Sequence, residues 1–121
     1  MFGRKNVVCF FVMLLLFVGS NSFAQDTIYV DPANTEDPAE NGSIDHPYDN
    51  WDDFDLGDNM VYLLKRGTVL EKANKMELTN LLNVTLGAYS SGDRPRIETN
   101  SIVVKSCENL VIKDLEIFAD G

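Results

Sequence analysis

Three short runs of the sequence begin with asparagine and are rich in β-branched, aromatic and aliphatic residues. They are Asn59–Leu63, Asn83–Leu86 and Asn109–Ile112, and their first residues lie 24 and 26 positions apart. The apolar side chains follow a period of two, as in a β-strand, rather than the 3.6 of a helix. A repeat of this length, built from short strands and polar turns, is typical of a solenoid whose coils bury inward side chains against one another. The sequence therefore predicts an all-β solenoid.

Further strand-like segments lie between these runs, separated by Gly, Asn, Ser, Asp and Pro. They are Met76–Leu78, Arg96–Glu98, Ile102–Val104 and Leu115–Ile117. We expect apolar side chains of later coils to stack on those of earlier coils. The stacking set is Leu110, Ile112, Leu115 and Ile117 on Val84, Leu86, Ile97, Ile102 and Val104.

Two features of the repeat allow alternatives. The segment 70–83 also fits an amphipathic helix, because Leu70, Ala73 and Leu81 are separated by good helix formers; we predict a strand at Met76–Leu78. The three asparagines that open the runs either stack as a polar ladder or serve only as separate turn formers.

The first 24 residues have the pattern of an export signal. Arg4 and Lys5 precede twelve apolar residues, 7–18, and the small residues of Ser22–Ala24 follow. A membrane-spanning helix needs about 20 apolar residues. We therefore predict cleavage near Ala24-Gln25, secretion to the extracellular space or periplasm, and no membrane span afterwards. Cys107 is then the only cysteine left, which excludes an intramolecular disulfide.

Charge divides the remaining chain and excludes one class of partner. The formal net charge is −9, and removing Arg4 and Lys5 with the leader leaves 8 basic against 19 acidic residues, or −11. Nucleic-acid binding through phosphate contacts is not expected of such a chain.

Residues 26–58 hold 11 acids and no Lys or Arg. We assign 25–58 to an acidic N-terminal strand, loop and cap, and 59–121 to the first coils.

The acidic region also holds the predicted cap turn and the candidate metal ligands. Asn50–Asp55 fits one helical turn, with Asn50 as N-cap and an apolar face made by Trp51 and Phe54. Calcium prefers several oxygen ligands, and the aspartates dense enough to supply them are Asp49, Asp52, Asp53, Asp55 and Asp58. Their spacing does not match the twelve-residue calcium loop, and a solvated acidic surface is the alternative. The metal is left unassigned.

Basic and aromatic residues are the remaining candidates for binding. The basic residues either bind an anionic sugar or pair with the acidic cap. They are Lys65, Arg66, Arg94 and Arg96. The aromatic residues have two alternative roles, which are stacking on sugar rings and packing in the core. They are Tyr29, Tyr48, Trp51, Tyr62 and Tyr89. We interpret His46 as a loop residue and Cys107 as a partly buried filler, and we assign no catalytic or cofactor-binding residue.

The order of short motifs along the chain resembles the N-terminal part of secreted right-handed parallel β-helix proteins of the pectate lyase-like superfamily. The motifs are Ile28–Pro32, Gly42-Ser43, His46–Tyr48, Gly57-Asp58, Val61–Leu63, Lys65–Thr68, Gly87–Gly92 and Arg94–Ile97. The resemblance implies N-terminal β-helix coils with a short acidic cap and a polysaccharide partner. The superfamily includes polysaccharide lyases and glycoside hydrolases. Its lyases use an acidic cluster that binds a cation and a Lys or Arg that acts as the base. No such set is evident in these residues.

The chain departs from the family at two points. Residues 47–57 are short and acidic where relatives have a longer amphipathic helix, and relatives continue for many more coils. We therefore expect an N-terminal fragment of a carbohydrate-active enzyme that lacks the catalytic coils. The alternative is a non-catalytic module that binds a glycan or a protein partner.

Overall fold

The computed structural model describes residues 25–72 and 74–120, and the regular secondary structure of this part of the chain is almost entirely β-strand. The predicted leader, residues 1–24, lies outside it. The strands are β1 (Asp26–Val30), β2 (Met60–Lys65), β3 (Val69–Lys72), β4 (Met76–Thr79), β5 (Leu82–Tyr89), β6 (Arg96–Thr99), β7 (Ile102–Lys105), β8 (Glu108–Ile112) and β9 (Glu116–Ala119). In the described residues, no helix has the length and apolar character that crossing a membrane requires.

The strands form three parallel sheets that the chain visits in rotation. Sheet A has the order β1-β2-β5-β8, sheet B the order β3-β6-β9, and sheet C pairs β4 with β7. Neighbouring strands are in register over one repeat, as in Val61 opposite Thr85 and Thr85 opposite Val111. The prediction of an all-β fold is confirmed, and all the predicted strand segments overlap observed strands.

The ambiguous segment 70–83 contains strands, so the helical alternative is wrong. Leu70, Met76 and Leu78 are 0–2% exposed, and the residues beside them point outward. Each strand is also hydrogen-bonded to a parallel neighbour, with Leu70 opposite Ile97. Sheet pairing and burial therefore outweigh the helix propensity of the intervening Glu and Lys residues. Strand β3 was not predicted.

Inward side chains form columns that run from one strand to the next. Leu86 of β5 lies between Tyr62 of β2 and Ile112 of β8, and it is completely buried. The predicted stacking is confirmed for three pairs, which are Leu110 on Val84, Ile112 on Leu86 and Ile117 on Ile97. It was wrong for Ile102 and Val104, which belong to sheet C and lie opposite Met76 and Leu78.

The three asparagines fulfil both of the roles left open. Asn59, Asn83 and Asn109 all have positive φ, at 58°, 61° and 54°, so each one turns the chain. Their side chains also bond to one another. Asn83 Nδ2 donates to Asn59 Oδ1 at 3.1 Å, and Asn109 Nδ2 donates to Asn83 Oδ1 at 2.5 Å. The ladder links three successive strands of sheet A beside their starting points.

The cap turn is a single turn of 3-10 helix, Trp51–Asp53, that begins as the sequence predicts. Asn50 Oδ1 accepts a hydrogen bond from Asp52 N at 3.1 Å. Trp51 is only 6% exposed, and the Phe54 ring stacks on Tyr62 with centroids 5.5 Å apart. The apolar face of the turn therefore fixes the acidic residues beside it against the sheets.

Candidate functional site

Three carboxylates meet where the N-terminal loop touches the cap turn. Glu40 and Asp49 come from the loop and Asp53 from the turn, and their candidate ligand oxygens all lie within 4.8 Å of one another. The fold brings them together from two directions. The Asn50 N-cap starts the turn that carries Asp53, and the β-bridge between Val30 and Tyr48 holds the chain just before Asp49.

The crowding of negative charge changes the protonation of this cluster. A hydrogen bond with Asp53, partial burial and the charge of Asp49 together raise the pKa of Glu40 to about 7. Near neutral pH a proton is thus shared between carboxylates. An oxygen-only donor set is also what hard divalent cations such as calcium select, so the cluster can hold either a proton or a cation.

The predicted calcium ligands separate in the structure. Among the five aspartates, only Asp49 and Asp53 join the cluster. Asp52 instead pairs with Lys72 Nζ at 2.6 Å, and Asp58 Oδ1 accepts a hydrogen bond from Leu82 N at 2.9 Å. Glu40 was missed because it lies nine residues before Asp49 along an irregular loop. No local spacing signal connects it to the turn.

Replacing Glu40 is expected to flatten the pH dependence of stability. A carboxyl whose pKa is raised on folding stabilises the protein fully below its unfolded pKa, and that contribution is lost as pH rises through about 7. The free energy of unfolding, measured by urea denaturation from pH 4.5 to 8, should fall more steeply for the unmodified chain than for Glu40→Gln. Glu36→Gln, on the same exposed loop, is the control. Parallel curves for Glu40→Gln and the unmodified chain would contradict the cluster.

A second candidate site is the outer face of sheet A. The rings of Tyr29 and Tyr89 meet edge to face there, with centroids 5.0 Å apart. Beside them Lys65 Nζ lies 3.4 Å from Asp31 Oδ2. Strands β1, β2 and β5 bring these residues together, because Tyr29 lies opposite Leu63 and Lys65 lies opposite Tyr89. Burial and the charge of Asp31 raise the pKa of Tyr89 to about 12, so its hydroxyl stays protonated.

The aromatic residues considered for sugar stacking divide between core and surface. Trp51 and Tyr62 belong to the core, at 6% and 1% exposure. Tyr48 stacks on Phe54, with ring centroids 5.3 Å apart. Tyr29 and Tyr89 remain half-buried on the outer face of sheet A.

The interpretation that the four basic residues pair with the acidic cap is confirmed only for Lys65. Lys65 pairs with Asp31 of the acidic region. Arg66 and Arg96 pair instead with acids beyond the acidic region, Asp114 at 3.9 Å and Glu98 at 3.2 Å. Arg94 is exposed.

The two residues interpreted as structural behave that way. Cys107 is half-buried, and its Sγ lies 3.1 Å from the Leu78 carbonyl oxygen. His46 lies in an exposed loop, with Nδ1 2.9 Å from Asp37 Oδ2.

A cleft of about 430 Å³ opens beside the cap turn. Its wall includes Trp51, Phe54 and Leu56, and its rim holds the ion pairs Lys72–Asp52 and Lys75–Glu77, each at 2.6 Å. These pairs satisfy the two lysines with carboxylates of the protein itself. The two lysines of the cleft are therefore already neutralised by the protein's own carboxylates.

Comparisons with protein-family models, curated proteins and solved structures find no match to this chain.

Proposed function

We propose that residues 25–120 form the acidic cap and first coils of a secreted right-handed parallel β-helix protein of the polysaccharide-acting type. The cyclic order of three parallel sheets supports the coil. The asparagine ladder supports it independently, because it requires the same corner of successive coils to be superposed. Secretion is proposed from the leader sequence.

Within this proposal, the outer face of sheet A is the surface that contacts the polysaccharide. The observation that carries the assignment is the cluster of Tyr29, Tyr89 and Lys65 on one parallel sheet. Tyrosine rings offer an apolar face to a sugar ring and a hydroxyl to its polar edge. The lysine supplies a cation for an acidic sugar, although it must exchange its contact with Asp31.

We assign binding, not catalysis, to these residues. A lyase of the proposed type requires a cation-binding acidic cluster next to a basic residue over the substrate. Here the carboxylate cluster belongs to the cap, whereas the tyrosines and Lys65 belong to sheet A. A non-catalytic glycan-binding module is the second candidate, and the same face of sheet A supports it.

Binding to acidic polysaccharides tests the proposal. The chain is run by affinity electrophoresis through pectin, alginate and glycosaminoglycans, and Tyr89→Ala is expected to weaken retention about tenfold, as loss of one aromatic contact does. Phe118→Ala is the matched control, because it removes an exposed aromatic from the outer face of sheet B. Circular dichroism establishes that each variant is folded.

Two results would overturn this assignment. One is no retention of the unmodified chain by any polysaccharide, and the other is equal weakening by Phe118→Ala and Tyr89→Ala. With calcium present we expect no unsaturated product. Its release by the chain would place catalytic residues within it and contradict the restriction to binding.

A further inference from the structure

The outer faces of the three sheets differ in charge. Along the outward rows of sheet A, Lys65 and Lys113 stand against Asp31. Acids equal or outnumber bases on the other two sheets. The outward charged residues are Glu77 and Lys105 in sheet C, and Glu71, Glu98, Glu116 and Arg96 in sheet B. In the described part of this acidic chain, sheet A is therefore the sheet whose outer face carries more positive than negative charge.

A glycine makes room for the Lys113 side chain on this face. Leu86 lies opposite Ile112, and Lys113 N donates to Leu86 O at 3.0 Å, so Lys113 follows opposite Gly87. A Cβ at Gly87 would lie 3.7 Å from Lys113 Cε and 3.8 Å from Lys113 Cγ. The aliphatic stem of Lys113 therefore crosses Gly87 and lies over β5. This placement is set by β5 and not by whatever adjoins the other edge of β8.

The two lysines of the face differ in their partners. Lys65 Nζ lies 3.4 Å from Asp31 Oδ2. Lys113 is exposed and, among the residues that the structure describes, enters no ion pair. The adjoining Asp114 pairs with Arg66 at 3.9 Å. A lysine commonly packs its stem on the protein and keeps its ammonium in water, and this arrangement leaves the Lys113 cation available to a ligand.

Lys113 also adjoins the tyrosine pair. Tyr89 and Gly87 are two residues apart on β5, so they share the outer face at a separation of about 7 Å. The ring of Tyr89 meets that of Tyr29, which lies in the same row as Leu63 and Gly87. A sugar ring that stacks on Tyr89 therefore lies within reach of the Lys113 ammonium.

We propose that Lys113 binds the carboxylate of a uronate residue in the polysaccharide, while Tyr29 and Tyr89 contact the sugar rings. This inference rests on the function proposed above and names its ligand class. Lys113 supplies the cation without the exchange of partners that Lys65 requires. Charge complementarity selects the ligand, because the positive charge left after Lys65 has paired with Asp31 is matched by the single carboxylate of a uronate and not by a neutral sugar.

Two forms of one polysaccharide test the proposal, because they share a backbone and differ in charge. De-esterified homogalacturonan carries a carboxylate on each sugar, and the methyl-esterified form lacks that charge. Retention of the chain by each form is measured by affinity electrophoresis. We expect Lys113→Gln to weaken retention by the de-esterified form about fivefold, as loss of one exposed ion pair does, and to leave retention by the esterified form unchanged. Lys113→Arg keeps the cation and should preserve the selectivity.

Gly87→Val tests the positioning of the lysine without changing the charge. The branched side chain suits a β-strand and occupies the space that the Lys113 stem crosses. We expect the same selective loss of about fivefold, with an unchanged circular dichroism spectrum. A folded Gly87→Val variant with undiminished selectivity would contradict the role of the glycine.

Lys105→Gln is the control for net charge, since it removes another exposed lysine, at the end of β7 in sheet C, and should leave both retentions unchanged. Equal weakening by Lys113→Gln and Lys105→Gln would overturn the assignment to Lys113 and leave stacking on the tyrosines intact. So would a loss of selectivity in Lys65→Gln that Lys113→Gln does not show. No retention of the unmodified chain by either form would instead overturn the proposed function together with this inference.

Discussion

Leu86→Ala is expected to lower the free energy of unfolding by about 2–5 kcal/mol. Leu86 is completely buried in the column between Tyr62 and Ile112, so shortening it leaves a cavity that touches three strands of sheet A. A domain of this size has a total stability of about 5–15 kcal/mol, so the loss is a large part of it. Urea denaturation followed by circular dichroism measures the change.

The matched control is Leu82→Ala, at the start of the same strand. Leu82 is 44% exposed, and its removal is expected to cost less than about 1 kcal/mol. The pair of variants thus distinguishes a buried position from an exposed position on β5. Equal losses at the two leucines would show that sheet A does not bury the face assigned to the core.

Asn83→Ala is expected to destabilise the protein by about 2–3 kcal/mol. The positive φ of 61° costs an alanine about 1–2 kcal/mol, and two side-chain hydrogen bonds of the ladder are lost with the amide. The measurement is again the free energy of unfolding in urea.

Asn83→Gly separates the two causes. Glycine adopts positive φ without steric cost, so this variant loses the ladder bonds but keeps the turn, and we expect about 1 kcal/mol of destabilisation. If the two substitutions destabilise equally, the backbone conformation at Asn83 contributes nothing. If Asn83→Gly has no effect, the ladder between Asn59 and Asn109 does not stabilise the stack.

Most strands could be predicted because their signal is local. Period-two patterning and the asparagine spacing identified β2, β5 and β8, and the polar turn residues between them set their approximate ends. The cap turn was equally readable, since an N-cap asparagine and two aromatic residues three apart lie within one turn. In both cases the residues that decide the structure are neighbours in sequence.

Strand β3 was missed because its signal comes from a strand that is distant in sequence. Glu71 and Lys72 favour a helix locally, and only the pairing of Val69–Lys72 with Arg96–Thr99 makes a strand preferable. Sheet B also breaks the regular repeat. Val69 pairs 27 residues ahead with Arg96, but Arg96 pairs only 20 ahead with Glu116, mainly because β8 and the corner after it are shorter than β5 and the corner after it. A fixed period cannot anticipate corners of unequal length.

The candidate sites were predictable only by residue type. Aspartates were correctly seen as possible oxygen ligands, but which of them converge depends on the path of an irregular loop. Likewise, the sequence could not separate Tyr29 and Tyr89 from the core aromatics. A shift of one residue along a strand moves a side chain to the opposite face of the sheet.

The central claim is that successive coils place residues one repeat apart in parallel register. Nuclear Overhauser contacts in an isotope-labelled sample measure this directly, because backbone protons of adjacent strands lie close together only when the strands are paired. We predict contacts linking Val61 with Thr85 and Thr85 with Val111. Antiparallel contacts between β2 and β5, or helical contacts across residues 70–83, would contradict the coil.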